Sequence, residues 1–294
     1  MRVTQRLLFE STMRELDTTT RKLLNLQKQA AYGRRVLRPS DDPLAAQRIQ
    51  DLKASLRRID PALRNGQYVQ SWLQISESTM QEMEETLERA KELATSQSSS
   101  TASASTRQMT AEELKNLYDQ IVQLANTRLG DRYIFGGSQT QSPVVERDDL
   151  FNPTYTGNGQ EIQVRTNGQE TIAMNVTARD MLETNGVLET LRDLINALEA
   201  NDTTAITAQL TGLDQGMAAL NDFISDVGSR SKVLERQGEA QKDAQIDLQE
   251  TLSEYEDADI ARVLTELTTQ QTVYEAALRT TAMITRTSLV DYIE

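Results

Sequence analysis

The residues of this chain best suited to chemistry are acidic. Glu254, Glu256, Asp257 and Asp259 form one cluster, and Asp41/Asp42 and Asp148/Asp149 form two tight pairs. General acid–base catalysis needs a group that titrates near the working pH, most often His, set beside a nucleophile or a phosphate cradle. The sequence has no His and no Cys, which excludes imidazole bases, thiol nucleophiles, Cys-based zinc sites and disulfides. The 254–259 run lacks the Gly and the regularly spaced Asp of a calcium loop. Each cluster has a plainer use. Asp42 precedes Pro43 and suits a helix N-cap, Asp148/Asp149 suit a loop, and 254–259 suits a helix start, where carboxylates meet the positive end of the dipole. The chain reads as a non-enzyme, with no catalytic or metal-binding residues and no cofactor.

Those clusters must sit on elements, and composition says which kind. The 294 residues are 38% hydrophobic but only 4% aromatic, with five prolines at 39, 43, 61, 143 and 153. Ala, Leu, Gln, Thr, Glu and Arg dominate, which favours long helices with narrow apolar seams over one compact core. No glycine falls between Gly66 and Gly130 or after Gly238, and long helices are expected there. A net charge of −13 argues against nucleic-acid binding. The charge is uneven, with eight Lys/Arg against three Asp/Glu in 1–35 and four against twelve in 239–294. Opposite signs suggest that the terminal helices lie side by side; the alternative is two independently solvated faces, since surface ion pairs contribute little energy. No apolar run approaches the ~20 residues that cross a membrane, and residues 1–9 do not read as a cleavable signal peptide.

Residues 3–35 read as one helix. Phe9, Leu16, Leu23 and Ala30 recur every seven positions beside Thr12, Thr19 and Leu26, a coiled-coil seam that is weak because its rows are partly polar. Gly33 suits the C-cap, Pro39 disfavours helix at Arg38, and Asp42-Pro43 restarts a helix expected to reach about 96, with a kink or restart at Asp60-Pro61. Residues 95–106 are a polar loop. Ser105-x-x-Gln108 and Thr110-x-x-Glu113 both match a capping box for the next helix, which runs to about 129. From 131 to 180, Gly and Pro cluster. Glu161–Arg165 and Glu170–Met174 alternate around Asn167-Gly168, a strong hairpin signal. Helical periodicity returns at about 187, turns at Asn201-Asp202, and continues from 203 to about 254 despite Gly212, Gly216 and Gly228. A last helix over about 258–291 carries Ile260, Val263, Leu264, Leu267, Tyr274 and Leu278 on one side, with Gln270 and Gln271 in the seam.

The fold class expected is mainly α: a long antiparallel helical bundle or coiled coil from both termini, with a small β-rich insert. Terminal helices 1–42 and 255–294 would form an inner assembly domain, 43–130 and 184–254 a helical bundle, and 131–183 an outer β-rich domain. Assembly is expected through Phe9, Leu16, Leu23, Ile260, Leu264, Leu267, Tyr274 and Leu278. The termini are expected to order only on meeting partners.

Gly33-Arg34-Arg35-Val36-Leu37-Arg38-Pro39-Ser40-Asp41-Asp42-Pro43-Leu44 resembles the N-terminal signature of the hook-associated protein 3 family of flagellin-like axial proteins. Arg132–Gly137, Tyr155–Gly159, Val227–Arg230 and Ala258–Ala261 through Gln271 resemble later parts of that family in the same order. The resemblance implies an extracellular structural subunit of the bacterial flagellum, exported by the flagellar type III route, that self-assembles as the hook–filament junction. It implies as partners other copies of the chain, the first hook-associated protein, flagellin and an export chaperone. Flagellin itself is the close alternative, although the Pro39–Pro43 run and the ending Ser288–Glu294 differ from the usual flagellin pattern. A secreted coiled-coil tether or translocator is the reading from another class, and the β insert argues against it. Arg34, Arg35 and Arg38 read equally as a solvated patch or as contacts to acidic faces of neighbouring copies, and Trp72 as packing between inner helices.

Overall fold

A computed structural model describes residues 2–99, 102–167 and 170–293, apart from the side chains of 2–6, 8, 9, 167, 170 and 284–293. The helices are α1 (Arg2–Tyr32), α2 (Pro43–Gln97), α3 (Ala104–Ala125), α4 (Val187–Glu199), α5 (Thr203–Glu256) and α6 (Ile260–Ile293). Between α3 and α4 come three antiparallel strand pairs: β1 (Arg128–Leu129) with β2 (Arg132–Tyr133), β3 (Val145–Arg147) with β4 (Pro153–Tyr155), and β5 (Gln163–Asn167) with β6 (Glu170–Ala173). A π-helical turn, Arg179–Glu183, leads into α4. The mainly helical class with small hairpins in the middle agrees with the sequence reading.

Some local expectations need correcting. Ser103 caps α3, in extended geometry with its Oγ accepting from Thr106 N at 3.1 Å. Ser105 and Thr110 lie within the helix, where Thr110 bonds back to Thr106 O. α2 continues through Pro61 without a break. α3 stops at Ala125, because Asn126 turns to hold β3, its side chain bonding the Val144 amide and the Val145 carbonyl. The β5–β6 hairpin pairs Val164 with Ile172 and Arg165 with Thr171. Its Gly168-Gln169 tip lies outside the described residues.

The chain forms two compact units, one of Met1–Arg58 with Ala244–Glu294 and one of Ile59–Asp243. In the second unit the apolar rows close on each other. α2 buries Val69, Leu73, Met80, Met83, Leu87, Ala90 and Ala94, alternating four- and three-residue steps once buried Ser76 is counted. α5 buries Ile206, Leu213, Leu220, Val227 and Leu234, every seventh residue. These are coiled-coil spacings with apolar residues at nearly every core position. Trp72, fully buried, lies in the same core. Phe135, Ile134, Val144 and Met174 from the strand region join this core, so the hairpins have none of their own. Isolated two-stranded hairpins would be marginal in water, and docking on the helices stabilises them.

Two of the mid-helix glycines of α5 have a packing reason. A Cβ on Gly212 would lie 2.9 Å from Thr190 Cγ2, and one on Gly216 would lie 3.0 Å from Val187 Cγ2. Their absence lets α4 lie directly on the α5 backbone, offsetting the intrinsic cost of glycine in a helix.

Candidate assembly surface

The first unit is built differently. α1 and α6 pack along each other, and the facing rows follow the heptads. On α1 the half-buried positions include Thr12, Leu16, Thr19, Leu23, Leu26 and Ala30, with Ser11, Thr20 and Gln29 half-buried beside them. On α6 they are Leu267, Gln270, Tyr274, Ala277 and Thr281, below buried Val263. Among the described α1 and α6 side chains only Val263 is buried. Thr12, Thr19, Gln270 and Thr281 put polar groups among the apolar seam positions, and a groove lined by Lys22, Leu26, Gln29, Thr265 and Gln270 runs along it.

The seam divides the residues picked from sequence. Leu16, Leu23, Leu267 and Tyr274 face the partner helix. Ile260, Leu264 and Leu278 do not: they are 40%, 48% and 42% exposed. At 100° per residue these three sit on a stripe beside the α1-facing row. Phe9 lies in α1, and its side chain is outside the described residues. Met13 and Leu24 of α1 are exposed as well. The terminal pair therefore has an inner seam that is half buried and outer apolar stripes that stay exposed.

The motif residues cluster where the chain leaves α1. Gly33 takes φ +67°, the left-handed geometry of a helix C-cap that a side chain would strain. Val36 is buried with Ala45 and Ile49, while Pro39 and Ser40 are exposed. Asp41 accepts from the amides of Leu37 and Arg38, which holds the break as a tight turn. Asp42 accepts from Ala45 N at 3.0 Å, so it caps α2 one residue before Pro43. That backbone bond, followed by the Arg35 guanidinium, holds the Asp42 carboxyl below the usual range.

The break at 33–42 pairs with the second break, at 257–259. Arg35 N donates to Glu256 O at 2.8 Å and Ala258 N to Gly33 O at 2.9 Å, with Arg34 and Asp257 opposite each other in a β-bridge. Arg35 also donates to Tyr255 O. Glu256, only 6% exposed, receives Arg34 at 2.8 Å and Lys53 at 2.7 Å. The acidic run thus splits. Asp259 starts α6 by accepting from Arg262 N, whereas Glu256 ends α5 rather than opening a helix, and the two cations offset its place at the negative end of the dipole. The sequence reading missed this role because the partners lie some 200 positions away. Arg34 and Arg35 of the basic patch bond within their own chain.

The glycine motifs further on form one lock. A Cβ on Gly137, which has φ +66°, would fall 2.1 Å from Asn158 O. Asn158 accepts from Ser138 N and donates to Ser138 Oγ. Arg132–Gly137 and Tyr155–Gly159 are therefore two halves of one loop crossing.

Among the described residues no helix is long and apolar enough to cross a membrane, and no group of His, Asp or Glu is placed to hold a metal ion. The bacterial flagellin N-terminal helical region matches residues 4–140, and the flagellin C-terminal helical region matches 210–293. The chain belongs to the flagellin family. It is 24% identical to flagellar hook-associated protein 3 of Escherichia coli over 228 residues, 77% of this chain and 68% of that relative. It is also 24% identical to a flagellin of Halalkalibacterium halodurans over 250 residues, 85% of this chain and 83% of the relative. Among solved structures, FlgL of Bacillus cereus superposes with a TM-score of 0.61 at 22% identity, covering 69% of this chain and 99% of that one. The flagellar junction protein FlgL of Legionella pneumophila gives 0.61 at 15% identity, covering 71% and 100%. These superpositions concern the fold. The two family regions fall on the helices of the two ends of the chain, α1 to α3 and α5 to α6.

Proposed function

We propose that this chain is the structural subunit of the hook–filament junction in the bacterial flagellum, outside the cell and without enzymatic activity. It assembles with other flagellar components. The observation that carries the reading is the contrast between the two units: a closed heptad core in one, and in the other a terminal helix pair whose seam is half buried and whose outer stripes are bare. Exposed apolar rows on long helices are covered when subunits pack together. In this reading residues 1–42 and 255–294 form the inner layer, 43–130 with 184–254 the bundle, and 131–183 the outer face. Leu16, Leu23, Leu267 and Tyr274 close each subunit's own pair, and Ile260, Leu264 and Leu278 meet a neighbouring copy. The adjoining partners are the first hook-associated protein on one side and flagellin on the other, with an export chaperone holding the C-terminal helix before assembly.

A strain lacking this chain should build hooks and release flagellin without forming filaments, and the wild-type chain should restore filaments. Normal filaments in its absence would refute the junction role. Loss of the filament itself, with the junction intact, would instead favour the flagellin reading.

A further inference from the structure

We infer that Glu256 is a positioning residue that joins the two chain breaks, so that α1 and α6 take up their assembly-ready pairing together. This rests on the junction reading for its biological meaning, but the joint itself is a property of the folded chain. Two separate stretches converge on the Glu256 carboxylate at the end of α5: Arg34 from the first break and Lys53 from α2. The carboxylate is buried, while Arg34 is 55% exposed and Lys53 31% exposed at their side chains. The shared anion is the group that cannot return to water without opening the crossing, whereas either cation can be rehydrated in place.

The backbone makes the joint reciprocal. The Arg35 amide is satisfied by the carbonyl of Glu256, and the Ala258 amide by the carbonyl of Gly33. Each break supplies the partner that the other needs, so neither turn is complete alone. A weak, polar seam between α1 and α6 gives little register by itself, because Gln270, Thr12 and Thr19 tolerate sliding better than interlocked apolar residues do. The crossing supplies that register at the point where α1 ends and α6 begins. Gly33 closes α1 and Asp259 opens α6 beside a common bridge.

The test is peptide-level hydrogen exchange on the full chain, comparing wild type with Glu256→Gln, Arg34→Gln, Lys53→Gln and the double variant Arg34→Gln/Glu256→Gln. Glu256→Gln should speed exchange about tenfold in both 33–38 and 257–260, as expected when charge-assisted hydrogen bonds are lost. Arg34→Gln should loosen 257–260 as well, and the double variant should be no faster than Glu256→Gln, because both remove the same link. Segment 73–87, in the other unit, should exchange at the wild-type rate. Unchanged exchange in Glu256→Gln, loosening of only one break, additive effects, or loosening of 73–87 would each overturn the inference. In cells lacking the native gene, Glu256→Gln should leave fewer hooks bearing filaments than wild type. Full filament formation by a variant with loosened breaks would overturn the positioning role. Failure of the wild-type chain to restore filaments would refute the junction reading, and the exchange result would still judge the joint.

Discussion

Gly212 and Gly238 lie in the same helix of the same unit, yet replacing them with alanine should move stability in opposite directions. In an open helix, Gly→Ala gains about 1 kcal/mol from backbone entropy and propensity. Gly238 has nothing within 4 Å of a built Cβ, so Gly238→Ala should realise most of that gain. At Gly212 the same methyl would lie 2.9 Å from Thr190 Cγ2 and 3.0 Å from its Oγ1. Thr190 cannot swing aside freely, because its hydroxyl donates to Gly186 O at 2.8 Å and fixes the rotamer. α4 must then move outward or give up that bond, and overpacking of this kind costs about 1–3 kcal/mol. Setting this against the propensity gain leaves Gly212→Ala destabilising by up to about 2 kcal/mol. For a unit of this size each kcal/mol shifts Tm by about 2–4 °C, so the two variants should melt several degrees apart on either side of wild type. Thermal unfolding followed by circular dichroism is sufficient. A rise in Tm for both variants would show that α4 does not rest on the α5 backbone, and the close packing derived for Gly216 would fall with it.

Other perturbations have outcomes worked from the same contacts. Glu189, half-buried in the first turn of α4, has its carboxyl raised above 4.5 chiefly by burial. The folded state therefore binds that proton more tightly than the unfolded one, and stability is lost as pH rises from 4.5 through the raised value. Glu189→Gln should raise Tm at pH 7 and flatten this part of the pH profile; an unchanged difference from wild type between pH 4 and 7 would refute it. Arg107, 4% exposed, donates to the carbonyls of Gln97 and Ser99 and to the Asn201 side chain. A lysine cannot span that fork, so Arg107→Lys should lower Tm by the equivalent of about 2 kcal/mol, and a neutral result would show the fork is dispensable. Leu267→Asp places a charge in the α1–α6 seam at a cost of about 2 kcal/mol in burial alone. It should lower helical content at the termini and block assembly while the transition of the other unit stays in place, and a working junction built from this variant would exclude the seam from assembly.

Element boundaries were plain in the sequence wherever glycine, proline or aspartate acts locally. Gly33, Asp42 and Pro43 end one helix and begin the next by geometry that needs no distant partner, and Asn201-Asp202 does the same before α5. The rows of α1 were plain too, since heptad spacing survives in Leu16, Leu23 and Ala30. What local pattern could not supply was the side each apolar residue faces when two stripes adjoin. Leu267 and Leu278 are eleven residues apart, close to three turns, yet one faces α1 and the other solvent. The three-residue strands β3 and β4 are too short to show alternation, and their pairing depends on Asn126 and the Gly136–Asn158 crossing. Glycines 212 and 216 looked like costs because their justification lies in another helix.

The separation of closed and open seams has a physical consequence for how such a subunit can be stored and used. A chain with every row as apolar as the Ile206–Leu234 row would bury its terminal helices at once, in itself or in the first neighbour encountered. Polar residues at Thr12, Thr19, Gln270 and Thr281 lower the gain from each contact, so no single pairing holds firmly. Many weak contacts repeated between subunits add up, whereas one pair stays reversible. Such a surface needs its register set by something other than apolar burial. The paired breaks supply it through hydrogen bonds and the buried carboxylate of Glu256, whose direction is strict where the seam is permissive. Stability thus resides in the unit with the closed apolar core, and geometry resides in the short crossing where α1 ends and α6 begins.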